Sequence, residues 1–213
     1  MFTVGYSTRT PQKFISLLKG HAVNLLVDVR TIPRSRHKPE FNKERLSKLL
    51  RKNGIKYVHM KELGGLRKPV KGSMNTGWLN ASFRGFADYM QSSEFGSAIK
   101  KLMQLALKKR VAIMCAEGNP FRCHRSLIAD AMLLRGFKVY EITGQRSASE
   151  HRLTKFAKVS GKRIIYRMHS RKPTNLFVDE CGMHRCCPIN NCLFLYSTIS
   201  KNIKSLGMHT GLR

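Results

Sequence analysis

Apolar positions along the chain fall into two alternating rhythms: short unbroken runs, which suit buried parallel strands, and stripes at helical spacing. Phe2 to Tyr6 is the first run. Thr10 then predicts an N-cap with Pro11 at the first helical position, and Phe14, Leu17 and Leu18 supply the stripe of a helix. Asn24 to Val29 predicts a second strand, Lys43 to Lys52 a helix burying Leu46, Leu49 and Leu50, and Ile55 to His59 a third strand. Between Lys61 and Arg84 the period vanishes and Gly, Asn and basic residues take over, a length that suggests a functional loop or lid. Helices are predicted over Phe86 to Gln91 and over Glu94 to Leu107, the second turning Phe95, Ile99 and Leu102 inward.

The segment from Arg110 to Gly144 reads as strand, cysteine-bearing loop, helix and strand in direct succession. Val111 to Met114 is an apolar run with Cys115 at its end, Leu127, Ile128, Ala131 and Leu134 recur at helical spacing, Gly136 stops the helix, and Lys138 to Ile142 resumes a strand. Ser147 and Glu150 have the spacing of a capping box, which predicts a helix to about Lys158 before a last strand at Arg163 to Tyr166. This alternation predicts an α/β domain over residues 1–166, with a mostly parallel sheet and helices on both faces. From Arg167 the character changes, and residues 167–213 are set apart as a C-terminal extension for which an ordered appendage, a disordered tail and a frame-shifted extension all stay open.

The chain of 213 residues carries a formal charge of +28, and +21 of it precedes residue 160. A field of that size draws polyanions, nucleic acid first among them, although a solvated basic surface produces the same number. No apolar span is long enough for a membrane, and the opening residues read as a strand rather than a leader, so a cytoplasmic protein with reduced thiols is expected.

In a doubly wound sheet, ligands bind at the carboxyl ends of the strands, and the loop after Cys115 opens a helix whose first amides favour an anion. Cys115 is the nucleophile candidate, with cations nearby to lower its pKa; a small buried residue ending a strand is the alternative. Glu117 would act as base or only neutralise the loop, and Cys123 with His124 forms a second thiol–imidazole candidate. Arg30, Arg34 and Arg36 follow the second strand toward the same edge, and Arg122 and Arg125 lie in the cysteine loop; together they are the predicted anion grip, with Asp28 orienting one of them. Tyr6, Ser7 and Arg9 close the first strand, Gly64 and Gly65 permit close approach to a ligand, and Trp78 either stacks on a base or packs over its own loop. Neither these cysteines nor Cys181, His184, Cys186, Cys187 and Cys192 in the extension have CxxC spacing, so no metal and no cofactor is expected.

Two stretches, LLVDVR at Leu25 to Arg30 and the cysteine loop leading into RSLIADAMLLRGFKVYEITG, resemble the rhodanese-like fold, whose cysteine carries a persulfide or, in related phosphatases, performs phosphoryl transfer. Cys115 to Arg122 leaves one residue more than the phosphatase pattern. A broader resemblance runs from about Thr3 to Tyr166. GYSTRT, VDVRTIPRSR, Phe41 with Asn42, YVHMKELGG, Gly77 with Trp78, FRGFADYM and MCAEGNPFRCHRSLIAD stand in the order of a prokaryotic family called domain of unknown function 488. Two functions follow as expectations. One is cysteine-dependent transfer or hydrolysis on an anionic small molecule or nucleic-acid-linked substrate; the other is non-catalytic nucleic-acid binding with structural cysteines.

Overall fold

The computed structural model describes residues 1–168; the extension beyond them, with its four cysteines, lies outside the described residues. Eight strands and five helices follow in order: β1 (Phe2–Gly5), α1 (Pro11–Gly20), β2 (Leu25–Asp28), α2 (Lys43–Lys52), β3 (Lys56–His59), α3 (Ala81–Tyr89), α4 (Ser93–Lys108), β4 (Val111–Cys115), α5 (Arg125–Leu133), β5 (Tyr140–Ile142), β6 (Ala148–Glu150), β7 (Ala157–Ser160) and β8 (Arg163–Tyr166). The helix starts are chemically marked. Thr10 Oγ1 accepts from the Lys13 amide, Asn80 Oδ1 from Ser82 and Phe83, and Ser92 Oγ from Phe95, each satisfying amides that have no partner inside the helix.

The main sheet has the order β3-β2-β4-β1-β5-β6, parallel throughout except for β6, which returns antiparallel to β5. Side-chain alternation along the central strands divides the core in two. Leu25, Val27, Val111 and Ile113 pack with Phe86, Phe95, Ile99, Leu102 and Leu127 from α3, α4 and α5. Leu26, Ala112 and Met114 face the opposite way, onto Phe14 and Leu18 of α1 and Leu46 and Leu50 of α2. Each Val, Leu, Ile, Phe or Met among them, when fully buried, contributes roughly 1.5–3 kcal/mol. Helices therefore cover both faces, as the alternation predicts, and no described helix is long and apolar enough to cross a membrane.

The helix predicted from Ser147 to Lys158 does not form. Thr143 and Gly144 donate their amides to the Ser147 carbonyl, closing a turn that sends β6 back along β5, and β7 and β8 then form a separate hairpin. The physical reason lies in tertiary contacts. His151 Nε2 meets Asp130 Oδ1 at 2.8 Å and the Thr154 hydroxyl donates to Asp130 Oδ2 at 2.7 Å, tying this arm to α5 and outweighing a weak local preference.

Candidate functional site

Gly5, Asp28 and Cys115 end three neighbouring strands, so the parallel order brings their carboxyl ends to one edge. Gly5 lies in register with Cys115, and the chain beyond it stays close: the Tyr6 amide donates to the Cys115 carbonyl at 3.3 Å and the Ser7 amide to Ala116 at 2.8 Å. A Cβ on Gly5 would lie 1.9 Å from the Glu117 carbonyl oxygen, so only glycine fits against the cysteine loop. Ser7 turns the chain away with a left-handed φ of 39°. Arg9 folds back to donate to the Gly5 carbonyl at 2.7 Å and does not line the cleft.

The cleft at this edge has a volume of about 430 Å³, and its walls include Tyr6, Arg30, Arg34, Glu117, Arg122 and the trio Cys115, Cys123 and His124. The two sulfurs and a His124 ring nitrogen lie within 4.8 Å of one another. His124 Nε2 is 3.1 Å from the Val29 carbonyl, where only a protonated nitrogen bonds, so Nδ1 is the nitrogen turned to the Cys123 sulfur, 3.8 Å away. Cys115 is partly exposed and Cys123 is buried. Hydrogen bonding from Cys123 is the largest cause holding the Cys115 thiol below its ordinary range; burial opposes it, and His124 and the Arg125 charge support it. The same contact with Cys115, followed by burial, pushes Cys123 up, so the pair shares one proton with the negative charge on Cys115.

The five predicted arginines take different places. Arg30 is buried and clamped: its Nε donates to both Asp28 oxygens at 2.9 and 3.1 Å and its Nη2 to the Phe41 carbonyl at 2.9 Å, while Nη1 reaches toward the Tyr6 hydroxyl at 3.4 Å. Burial opposes its charge, and Asp28 more than restores it. Asp28 is thus the orienter that the sequence suggests, and it is held in turn by Tyr57, whose hydroxyl donates at 2.7 Å. Arg34 and Arg122 stand exposed on the cleft wall. Arg36, also exposed, does not line the cleft. Arg125 lies deepest of the five. It is fully buried beneath the loop and its Nη1 donates to the Val4 and Glu117 carbonyls, both at 2.8 Å, so it charges the floor of the site rather than facing a ligand.

Glu117 is exposed on the cleft wall and accepts from the Asn119 amide at 3.1 Å. Gly64 and Gly65 do serve close approach, but to protein: a Cβ on Gly64 would lie 2.4 Å from Thr31 Oγ1 and one on Gly65 2.5 Å from His124 Nδ1. Trp78 packs against Phe83, Phe156 and Tyr166 at centroid distances of 4.7, 5.0 and 5.5 Å, so its indole is a core element of the loop rather than a stacking platform. The irregular segment is pinned by Asp88, which accepts from the Val70 amide, the Ser73 hydroxyl and the Asn75 side chain. Sequence reasoning missed Thr31, Ser82 and Phe83 in the cleft wall, since nothing local marks them. It also missed the Asp130 cluster, for which an aspartate inside the apolar stretch LIADAMLL was the available signal.

Cys115, Cys123 and His124 present three donors, one fewer than a closed tetrahedral zinc site and the number of an open one completed by water, and Glu117 does not belong to the group. What the fold and the site define is a doubly wound α/β protein with a cysteine–histidine cleft at its strand ends. A family model described as domain of unknown function DUF488 matches residues 10–132, more than half of the sequence, and the chain belongs to that family. No curated protein and no solved structure matched the chain.

Proposed function

We propose that the chain is a cysteine-dependent enzyme that transfers or hydrolyses a group on an anionic substrate, with Cys115 as nucleophile. The observation that carries this reading is the close group of two thiols and an imidazole in the cleft, their atoms within 4.8 Å of one another. Cys115 is the partly exposed member, it lies at a strand end, and Cys123, His124 and Arg125 all favour its thiolate. Arg34 and Arg122, with the buried Arg30 behind them, supply the positive wall that an anionic substrate would meet. His124 and Glu117 are the groups placed to move protons.

Alkylation of native protein by iodoacetamide, followed peptide by peptide across pH, tests the reading. Cys115 is expected to react as a thiolate at about pH 6, where an ordinary thiol of pKa about 8.5 is almost wholly protonated. Inertness of Cys115 until denaturation would remove the nucleophile from the proposal. The competing reading, nucleic-acid binding, is favoured by the +28 charge but loses Trp78 as a stacking residue. It predicts affinity that falls steeply with salt and survives Cys115→Ser.

A further inference from the structure

A thiolate nucleophile serves acyl, phosphoryl and sulfur chemistry alike, so the surroundings of Cys115 must choose among them. Phosphoryl and acyl transfer need donors aimed at a developing oxyanion, most economically the amides of the loop that follows the cysteine. Here four of those amides are already engaged within the loop. Asn119 donates to Glu117 Oε1 at 3.1 Å, Phe121 to Asn119 Oδ1 at 3.0 Å, Arg122 to the Asn119 carbonyl at 3.2 Å and Cys123 to the Pro120 carbonyl at 3.0 Å. Arg125, at the start of α5, donates through Nη1 to the Val4 and Glu117 carbonyls and does not line the cleft. The Asn119–Cys123 stretch of the loop is thus held by its own hydrogen bonds, and its amides are not offered to a tetrahedral anion.

What stands beside Cys115 is a second thiol. A neighbouring thiol does little for an acyl or phosphoryl intermediate, but it cleaves a sulfur–sulfur bond by ordinary exchange. The Cys123 sulfur lies within 4.8 Å of the Cys115 sulfur, has an imidazole nitrogen at 3.8 Å to take its proton, and is screened from solvent. Closing to a disulfide length of about 2.05 Å asks for side-chain rotation and a small shift of the exposed turn Pro120–Arg122.

We infer that the cleft reduces an anionic disulfide by a two-thiol exchange, in which Cys115 attacks the substrate and Cys123 resolves the mixed disulfide. The inference rests on the reading of Cys115 as nucleophile. In the first step the Cys115 thiolate forms a bond to one substrate sulfur, the substrate S–S bond breaks, and one thiolate leaves. In the second, Cys123 passes its proton to His124 Nδ1 and attacks Cys115; the remaining substrate thiolate leaves and takes that proton. The substrate gains two electrons, the protein holds a Cys115–Cys123 disulfide, and a dithiol reductant from solution returns the pair to its starting state. Arg34 and Arg122 select a substrate that carries a carboxylate or similar anion.

The probe is dithiobis(nitrobenzoate), an anionic aromatic disulfide, reacted with the full chain and followed by non-reducing peptide mapping. Cleavage after Arg122 places Cys115 and Cys123 on separate peptides, apart from the cysteines of the extension. Wild type is expected to release a second equivalent of thionitrobenzoate from this site and to yield the Cys115 and Cys123 peptides joined. Cys123→Ser and Cys123→Ala are each expected to stop at the mixed disulfide on Cys115, and Cys115→Ser to leave Cys123 unlabelled. A wild-type protein that keeps thionitrobenzoate on Cys115 without joining the peptides overturns the resolving role and leaves the nucleophile in place. A Cys115 unlabelled in the native protein and labelled after denaturation overturns both.

Discussion

Asp28 and Asp130 are both fully buried, yet they stabilise the fold in opposite styles. Asp130, on α5, accepts from His151 Nε2 at 2.8 Å, the Thr154 hydroxyl at 2.7 Å and amide at 3.2 Å, and the Tyr166 hydroxyl at 2.9 Å. Its donors all come from the arm after β5, so its work is to hold that arm. Asp28, at the end of β2, gives most of its capacity to one guanidinium, and Arg30 lines the cleft. Polar groups deep in a fold are tolerated when they are saturated, and one held at a cleft wall can keep an edge for a ligand. The Asp130 cluster is built for closure and the Asp28 pair for positioning.

The largest expected effect is at Asp130. Asp130→Ala leaves two hydroxyls, a ring nitrogen and an amide without their acceptor, which should cost about 3–5 kcal/mol of stability. Urea unfolding monitored by tyrosine and tryptophan fluorescence measures it. Cys115 in the fraction still folded should be alkylated at the wild-type rate; a loss of that reactivity would mean the two regions are coupled rather than separate.

Asp28→Asn is expected to cost less, about 2–3 kcal/mol, because the amide still accepts from Tyr57 or Arg30 while the charge pair is lost. Its signature is a split in reactivity. Arg30, no longer clamped, positions anions poorly, so the rate with dithiobis(nitrobenzoate) should fall several-fold while neutral iodoacetamide reacts as before. Equal loss with both reagents would assign Asp28 to the fold alone.

Much of this division was legible in the residues. The parallel core follows from apolar runs such as LLVDV and VAIM, since a strand covered on both faces has no polar alternation. Cys115 and Asp28 were found because strand ends are visible where such runs stop. The arm after β5 was not, because Ser147 and Glu150 carry a helix-start signal that bonds to Asp130, remote in sequence, overrule. Nor does sequence distinguish Arg125 from Arg122: one opens α5 and turns under the loop, the other ends the turn Pro120–Arg122 and faces solvent, a matter of the element each joins rather than of residue type. Cys123 read as a second candidate, and only its distance to Cys115 gives it a part in the same reaction.

The last effect concerns pH, and it separates the cleft from the Asp130 cluster through the sign of a slope. In the folded protein the contact with Cys123 holds the Cys115 thiol well below its ordinary 9.0, so its thiolate adds stability that is complete above pH 9.0 and fades as pH falls. Cys123 is shifted the other way, so above pH 9.0 the unfolded chain loses a proton that the folded one retains, and stability declines again. The pair therefore contributes a term that rises from acid to mildly alkaline pH and turns down beyond it. Cys115→Ser removes the first half and weakens the second, because Cys115 is the first cause of the Cys123 shift and burial the next. The stability difference between wild type and Cys115→Ser, taken from urea midpoints, should widen between about pH 5 and about pH 8 and narrow above about pH 10. A difference that stays flat over that range would mean the two thiols do not share a proton, and the polarity that sets Cys115 apart from Cys123 would be lost with it.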